Sequence, residues 1–355
     1  MHAALTRAIQ FSEPLGLRVP ILLAPMAGAC PVSLSAAVAA GGGMGACGAL
    51  LMQPDAITDW AREMRATSHG GFQMNLWIPD PTPDRNPEQE ADLRRFLTGW
   101  GPEPAVDAPD ATVPDFEAQC AAMLDAGPAA ISSIMGVYPP AFVERLKARG
   151  IRWFATATTV AEARAAEAAG ADVIVAQGME AGGHRGAFDA AKADTSMVGL
   201  FALLPAIVDA VDVPVVATGG IADARGVAAA LILGASAVQI GTGFLRAPEA
   251  GLNPVWADAL SAVAPEDTAP TRAFSGRLGR AIRTGYVEAA AQQTTPPAPY
   301  PVQRALTSAM RTEASKTGNL DAMQAWAGQS AALSSANPAA ETVATLWQET
   351  QSLLG

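Results

Sequence analysis

Ala171-Asp172-Val173-Ile174-Val175-Ala176-Gln177-Gly178-Met179-Glu180-Ala181-Gly182-Gly183-His184-Arg185-Gly186 joins an apolar run to a glycine-rich loop that carries a histidine. A strand apolar on both faces belongs inside a parallel sheet covered by helices, and such sheets bind ligands at the carboxyl ends of their strands. His184 therefore falls where chemistry is done, and the paired glycines let the backbone approach a ligand closely.

Outward from this segment, Val- and Ile-rich runs alternate with Ala-rich segments of helical period, the signature of repeated βα units. Strands are read at Ile21–Pro25, Met44–Leu50, Phe72–Trp77, Ala130–Ile134, Trp153–Ala157, Val173–Ala176, Val215–Thr218 and Ala237–Ile240. Helices are expected at Ser33–Ala40, Ala56–Ala66, Phe116–Leu124, Ala141–Arg149, Val160–Ala169, Leu200–Val211 and Ala224–Leu233. Eight such units close a TIM-type (β/α)8 barrel, an α/β fold, here assigned to residues 1–264. A Pro- and acid-rich insertion, about 79–114, with a helix near Glu88–Leu97, follows the third strand and is a candidate lid over the ligand face. Residues 265–355 read as a C-terminal helical extension packing on the barrel, with helices at Arg304–Ala314 and Leu320–Leu333 after the Pro-rich Thr295–Pro301.

The 355 residues, half of them hydrophobic and 16% charged, suffice for a large core. The net charge of −11 disfavours nucleic acid and anionic lipid as partners, so the ligand is expected to be small. The apolar opening Val19–Ala29 is too short to span a bilayer and is broken by Pro20 and Pro25, which points to a cytoplasmic protein, monomeric or homodimeric. Cys30, Cys47 and Cys120 form neither a C-x-x-C pair nor a disulfide framework and read as small buried residues, with Cys30 close enough to the first strand to border a pocket. Acidic clusters with metal-ligand spacing are absent, so no metal is expected. The run from Gly43 to Gly48 matches G-x-G-x-x-G in letters, but it leads into a strand instead of out of one and is rejected as a dinucleotide motif.

Gly219-Gly220 and Gly241-Thr242 follow the seventh and eighth strands. In barrels of this class the backbone amides of those two loops commonly hold a phosphate, and glycine keeps side chains out of the anion's way. Period two places Gln73 and Asn75 on one face of the third strand. Asn75 and Gln177, near strand ends, suit a heterocycle with alternating donors and acceptors, although amides in a barrel also bond one another. None of Lys147, Lys192 and Lys316 ends a strand, which argues against Schiff-base chemistry. His2 lies in a terminal segment and His69 before the third strand, which leaves His184 as the acid–base candidate.

Four segments, Val19–Ala29, Gly71–Pro81, Ala176–Gly186 and Val216–Leu245, resemble the class I nitronate monooxygenases, formerly called 2-nitropropane dioxygenases. The likeness runs from about Val19 to Leu333 and includes Thr271–Arg277 and Trp326–Gln329. The resemblance implies a barrel holding FMN non-covalently and oxidising alkyl nitronates, such as propionate 3-nitronate, or nitroalkanes with O2 to a carbonyl compound and nitrite. Matched by position, Ala24, Pro25 and Met26 would line the flavin ring. Asn75, Gln177, Gly182, Gly183, Gly219, Gly220, Gln239, Ile240, Gly241 and Thr242 would bind the cofactor, and His184 would be catalytic. After Ser275-Gly276-Arg277 the run Leu278–Thr284 departs from the family's A-R-G and asparagine, on what the resemblance makes the far side of the substrate pocket. Three other readings remain: an FMN-dependent, NADH-using enoyl-acyl-carrier-protein or quinone reductase, a flavin-free phosphate-binding barrel isomerase or lyase, and a catalytically idle flavin carrier or sensor in which His184 only packs.

Overall fold

The computed structural model describes residues 2–110 and 113–355, so Ala111 and Thr112 of the insertion lie outside the described residues. Eight parallel strands form the central sheet: β1 (Ile21–Leu23), β2 (Gly45–Gly48), β3 (Phe72–Trp77), β4 (Ala130–Ile134), β5 (Arg152–Ala157), β6 (Val173–Gln177), β8 (Val215–Thr218) and β9 (Ala237–Ile240). The intervening β7 (Gly183–His184) belongs to a second sheet, so β8 and β9 are the seventh and eighth staves of the barrel. Their order is β1-β9-β8-β6-β5-β4-β3-β2. A bridge between Leu22 and Met44 closes the ring, with the Leu23 amide donating to the Met44 carbonyl at 2.9 Å. The fold is the expected TIM-type barrel. β1 stops at Leu23 instead of Pro25, since proline has no amide for a ladder.

Burial explains why these runs are strands. Ile21, Leu22 and Leu23 are fully buried, and Leu22, Met44, Phe154, Val175 and Val216 fill the inside of the barrel's lower end. The N-terminal helix Ala3–Ser12 adds Phe11 to that cluster, and His2 caps it by accepting from the Ala4 amide at 3.2 Å, so this histidine has a structural task. Helices between strands are capped as their sequences dictate: Thr159 accepts from the Glu162 amide and Asp223 from the Gly226 amide.

After β9 the chain leaves the barrel and returns to it. The last helix, Ala339–Leu354, buries Ala339, Val343 and Leu346 in the main core. Between lie β10 (Thr268–Thr271), β11 (Gly279–Ile282) and short helices, with β10, β11 and β7 forming an antiparallel sheet. A second core gathers Phe274, Tyr286, Leu306 and Met310 with Leu93 and Leu97 of the helix Pro87–Leu97. The helix of the insertion is thereby built into a packed layer, and Asp80 adds an ion pair with Arg277.

Two helical expectations fail here. Arg304–Ala314 is divided into Val302–Leu306 and Ser308–Thr317, with Thr307 between them donating to the Phe274 carbonyl at 2.6 Å. Leu320–Leu333 is helical only as single turns at Leu320–Ala322 and Ala331–Leu333. The segment between is an extended strap. Its amides at Ala327, Gly328 and Gln329 donate to Arg280, Thr242 and Glu180, and these tertiary bonds outcompete an intrinsic helical preference worth only tenths of a kcal/mol per residue.

Candidate active site

Every stave of the barrel sends residues to one cavity of about 350 Å³ at the carboxyl ends of the strands. Ala24, Pro25, Met26, Asn75, Gln177, Gly182, Gly183, His184, Gly219, Gly220, Gln239, Gly241 and Thr242 all line it. Ile240 does not. Its side chain is buried in the main core, and its carbonyl accepts the Ala24 amide at 2.9 Å. Cys30 lies behind the lining, its thiol bonded to Met26 and pushed up to about 11 by burial, so it shapes the β1 loop.

One end of the cavity is a backbone cradle. Gly219 and Gly220 have φ of +108° and +70°, a region costly for residues with a Cβ. A Cβ on Gly220 would stand 3.1 Å from Glu180 Cβ, and one on Gly241 3.3 Å from Ala24 Cβ. Among the described residues, the amides of Gly220, Ile221, Gly241 and Thr242 donate to no protein acceptor. Unsatisfied, converging N–H groups of this kind are what a phosphate needs.

The middle of the cavity is lined by amides whose orientation is fixed from below. Gln73 is fully buried and donates to the Leu23 carbonyl and to Gln239 Oε1, at 3.0 and 2.9 Å. Gln239 thereby keeps its NH2 for the cavity. Asn75 donates to Ser132 Oγ at 3.0 Å and keeps its Oδ1. Fixed donors and acceptors suit the polar edge of a flat heterocycle, so the residues present fit a flavin mononucleotide in both ring and phosphate.

Gln177 has another task besides lining the cavity. Its Nε2 donates to the His184 carbonyl at 3.1 Å and its Oε1 accepts the Gly186 amide at 2.7 Å, so it clamps the loop that bears the histidine. The other side of the loop is a strand: Gly183 and His184 pair with Arg280 and Gly279 of β11. Arg185 points away and donates to the carbonyls of Gln177, Thr158 and Ser196. Glu180 holds the loop to the start of the helix Leu200–Val208 by accepting the Leu200 amide at 2.8 Å. None of Leu278–Thr284 lines the cavity. That departure from the family pattern lies in and around the supporting strand, not in the substrate pocket as expected.

The His184 imidazole stands edge-on between two indoles, its centroid 4.6 Å from Trp77 and 4.8 Å from Trp326. Its Nε2 is 2.7 Å from Ser275 Oγ, whose hydroxyl also lies 3.2 Å from the Arg277 carbonyl. A serine hydroxyl has one hydrogen. The assignment that satisfies both contacts gives that hydrogen to Arg277 and makes Nε2–H the donor to Ser275, which leaves Nδ1 as the imidazole's acceptor. Burial above all, then the charges of Arg277, Arg304 and Arg311, push the imidazole down to about 3, so it is neutral near pH 7. Ser275, Trp77, Trp326, Arg304 and Arg311 received no individual role from the sequence. Only the resemblance of Gly71–Pro81, Thr271–Arg277 and Trp326–Gln329 covers three of them, Trp77, Ser275 and Trp326.

A small-molecule cavity across the carboxyl ends of a closed parallel barrel, with one framed imidazole, is the arrangement of a TIM-barrel enzyme. The chain belongs to the nitronate monooxygenase family, whose model, described as Nitronate monooxygenase, matches residues 12–349. It is therefore an oxidoreductase of a flavoenzyme family. It is similar to the nitronate monooxygenase of Pseudomonas aeruginosa, at 39% identity over 96% of this chain and 98% of that one. Among solved structures, nitroalkane oxidase from Streptomyces ansochromogenes is 34% identical, with a TM-score of 0.88 over 98% of this chain and all of that one. FabK from Thermotoga maritima is more distant, 26% identical with a TM-score of 0.76 over 97% and 96% of the two chains.

Proposed function

We propose that the protein binds FMN non-covalently in this cavity and oxidises alkyl nitronates with O2 to a carbonyl compound and nitrite. The observation that carries the choice of substrate is a neutral imidazole among arginines, lining the same cavity as the cradle and the amides. A base whose conjugate acid has a pKa near 3 takes protons from carbon poorly, whereas a nitronate has already lost its α-proton. The site is thus suited to the anion more than to the neutral nitroalkane. Gly219–Gly220 and Gly241–Thr242 would hold the phosphate, and Asn75 and Gln239 the polar edge of the ring. Bound there, FMN supplies the electron acceptor for the nitronate and the donor to O2.

The protein's own part is binding and orientation. His184 meets the anion between Trp77 and Trp326, and binding of a negative charge raises its proton affinity. Gln177 and Ser275 fix the ring's position and tautomer. Three free, buried cysteines suit a reducing, cytoplasmic setting.

The test is the visible spectrum of the purified protein, followed by anaerobic bleaching and aerobic nitrite release with ethyl nitronate, nitroethane and NADH in turn. The expected result is a flavin bleached by the nitronate, with nitroethane turned over far more slowly. Replacing His184→Asn, which removes the group that meets the anion, should lower nitronate turnover about tenfold or more, while the already slow nitroethane reaction should change less. Bleaching by NADH alone would favour a reductase. A protein without flavin and unable to take up FMN would favour a phosphate-binding isomerase or lyase.

A further inference from the structure

The strand β11 (Gly279–Ile282) sets two residues of the site from one edge. Its Gly279 and Arg280 pair with His184 and Gly183, and the next residue, Ala281, makes a bridge with Trp326. The bonds run in series along that edge. The Arg185 amide donates to the Leu278 carbonyl at 2.8 Å, the Ala327 amide to the Arg280 carbonyl at 3.3 Å, and the Ile282 amide to the Ala325 carbonyl at 2.9 Å. The histidine loop and the strap therefore meet end to end on a strand none of whose residues lines the cavity. One element thus fixes the spacing of an imidazole and an indole that lie far apart in the sequence.

Gly279 stands at the centre of this arrangement, and its backbone gives no reason for a glycine. Its φ is not positive, unlike that of Gly276 at +85°. A glycine of ordinary φ weakens a strand, and where one is kept it marks a close approach. The approach is present: a Cβ on Gly279 would stand 2.9 Å from Trp326 Cζ3, 3.0 Å from Trp326 Cη2 and 3.0 Å from the Gly183 carbonyl oxygen. Carbon atoms in good contact are about 3.5–4.0 Å apart, so something would have to shift. The indole has little room to retreat, since its centroid is 5.6 Å from that of Phe274 and 4.8 Å from that of His184. A methyl group at position 279 would therefore displace Trp326 against the imidazole or loosen the pairing that carries His184.

We propose that Gly279 is a positioning residue: having no side chain, it lets the Trp326 indole lie against β11 and so holds the His184 imidazole in the place where it meets the substrate. This rests on His184 acting in nitronate oxidation. Gly279 lies outside the cavity lining and acts through Trp326 and Gly183.

A double-mutant cycle of Gly279→Ala and Trp326→Phe tests this, because phenylalanine lacks the indole's outer ring atoms and relieves the overlap. With FMN-loaded protein and ethyl nitronate in anaerobic stopped flow, Gly279→Ala alone is expected to lower the limiting rate of flavin reduction about tenfold or more. Added to Trp326→Phe, it should change that rate by less than about twofold. A second readout needs no turnover. The chain has three histidines, so in protein labelled with carbon-13 at histidine Cε1 the His184 resonance is assigned by its loss in His184→Asn. Ring currents of the two flanking indoles shift this resonance. Gly279→Ala should move it in the parent and leave it in place in the Trp326→Phe background. Equal effects of Gly279→Ala in both backgrounds, or none in either, would overturn the proposal. If Gly279→Ala alone does not fold, recovery of folded protein by Trp326→Phe supports the fit, and failure to recover overturns it. If the parent protein does not oxidise the nitronate, the reaction assignment fails instead, and the resonance still decides whether Gly279 places the imidazole.

Discussion

The neutral state of His184 can be read out in stability as well as in turnover. In the unfolded chain a histidine titrates near its ordinary value of about 6.5. In the folded protein the ring is held at about 3, by burial first and by Arg277, Arg304 and Arg311 next. Between these two values the unfolded chain binds more protons than the native one, so stability rises with pH through the window from about 3 to about 6.5 and is level above it. At pH 5 the unfolded side chain is almost fully protonated and the native one is not, a difference worth about 2 kcal/mol against the native state. His184→Asn removes the group from both states. Chemical denaturation of parent and variant, with flavin removed from both, should therefore show the stability difference between them shifting by about 2 kcal/mol in the variant's favour from pH 8 to pH 5. Parallel curves, with the same difference at both pH values, would refute an imidazole held neutral below its ordinary value.

Ser275 is fully buried and its hydroxyl partners Nε2, so Ser275→Ala leaves a ring N–H without its acceptor. Such a loss costs about 1–3 kcal/mol, and anaerobic stopped-flow with ethyl nitronate should show flavin reduction slowed about tenfold to a hundredfold, with flavin content unchanged. An unaltered rate would exclude a positioning role for this serine. Gly220→Ala puts a Cβ at a φ of +70° and 3.1 Å from Glu180 Cβ. Strain of about 1–2 kcal/mol in the cradle should weaken FMN binding about tenfold, measured by flavin fluorescence, and an unchanged dissociation constant would remove these loops from the phosphate site.

The barrel was legible because its strands are short, apolar and evenly spaced, and because period-two and period-3.6 patterns are local properties of the chain. The cradle was legible for a similar reason. Gly219-Gly220 and Gly241-Thr242 follow strands directly, and glycine at a strand end has few other purposes. Gln177 lines the cavity but spends both ends of its amide on the histidine loop, because an amide's partners are set by what lies across from it and not by its neighbours in sequence.

The region after residue 264 was the hardest to read. Leu320–Leu333 has helical composition, yet its middle is drawn out as a strap that sets Trp326 against the imidazole.

By itself the sequence determined the eight-fold βα repeat, the glycine turns and the single histidine on the ligand face, all of which follow from the spacing of residues along the chain. Only the tertiary structure decided what surrounds that histidine. Ser275, Trp326, Arg304 and Arg311 lie roughly a hundred residues or more downstream of it, and charge, burial and hydrogen bonding act through distances in space that no local pattern records.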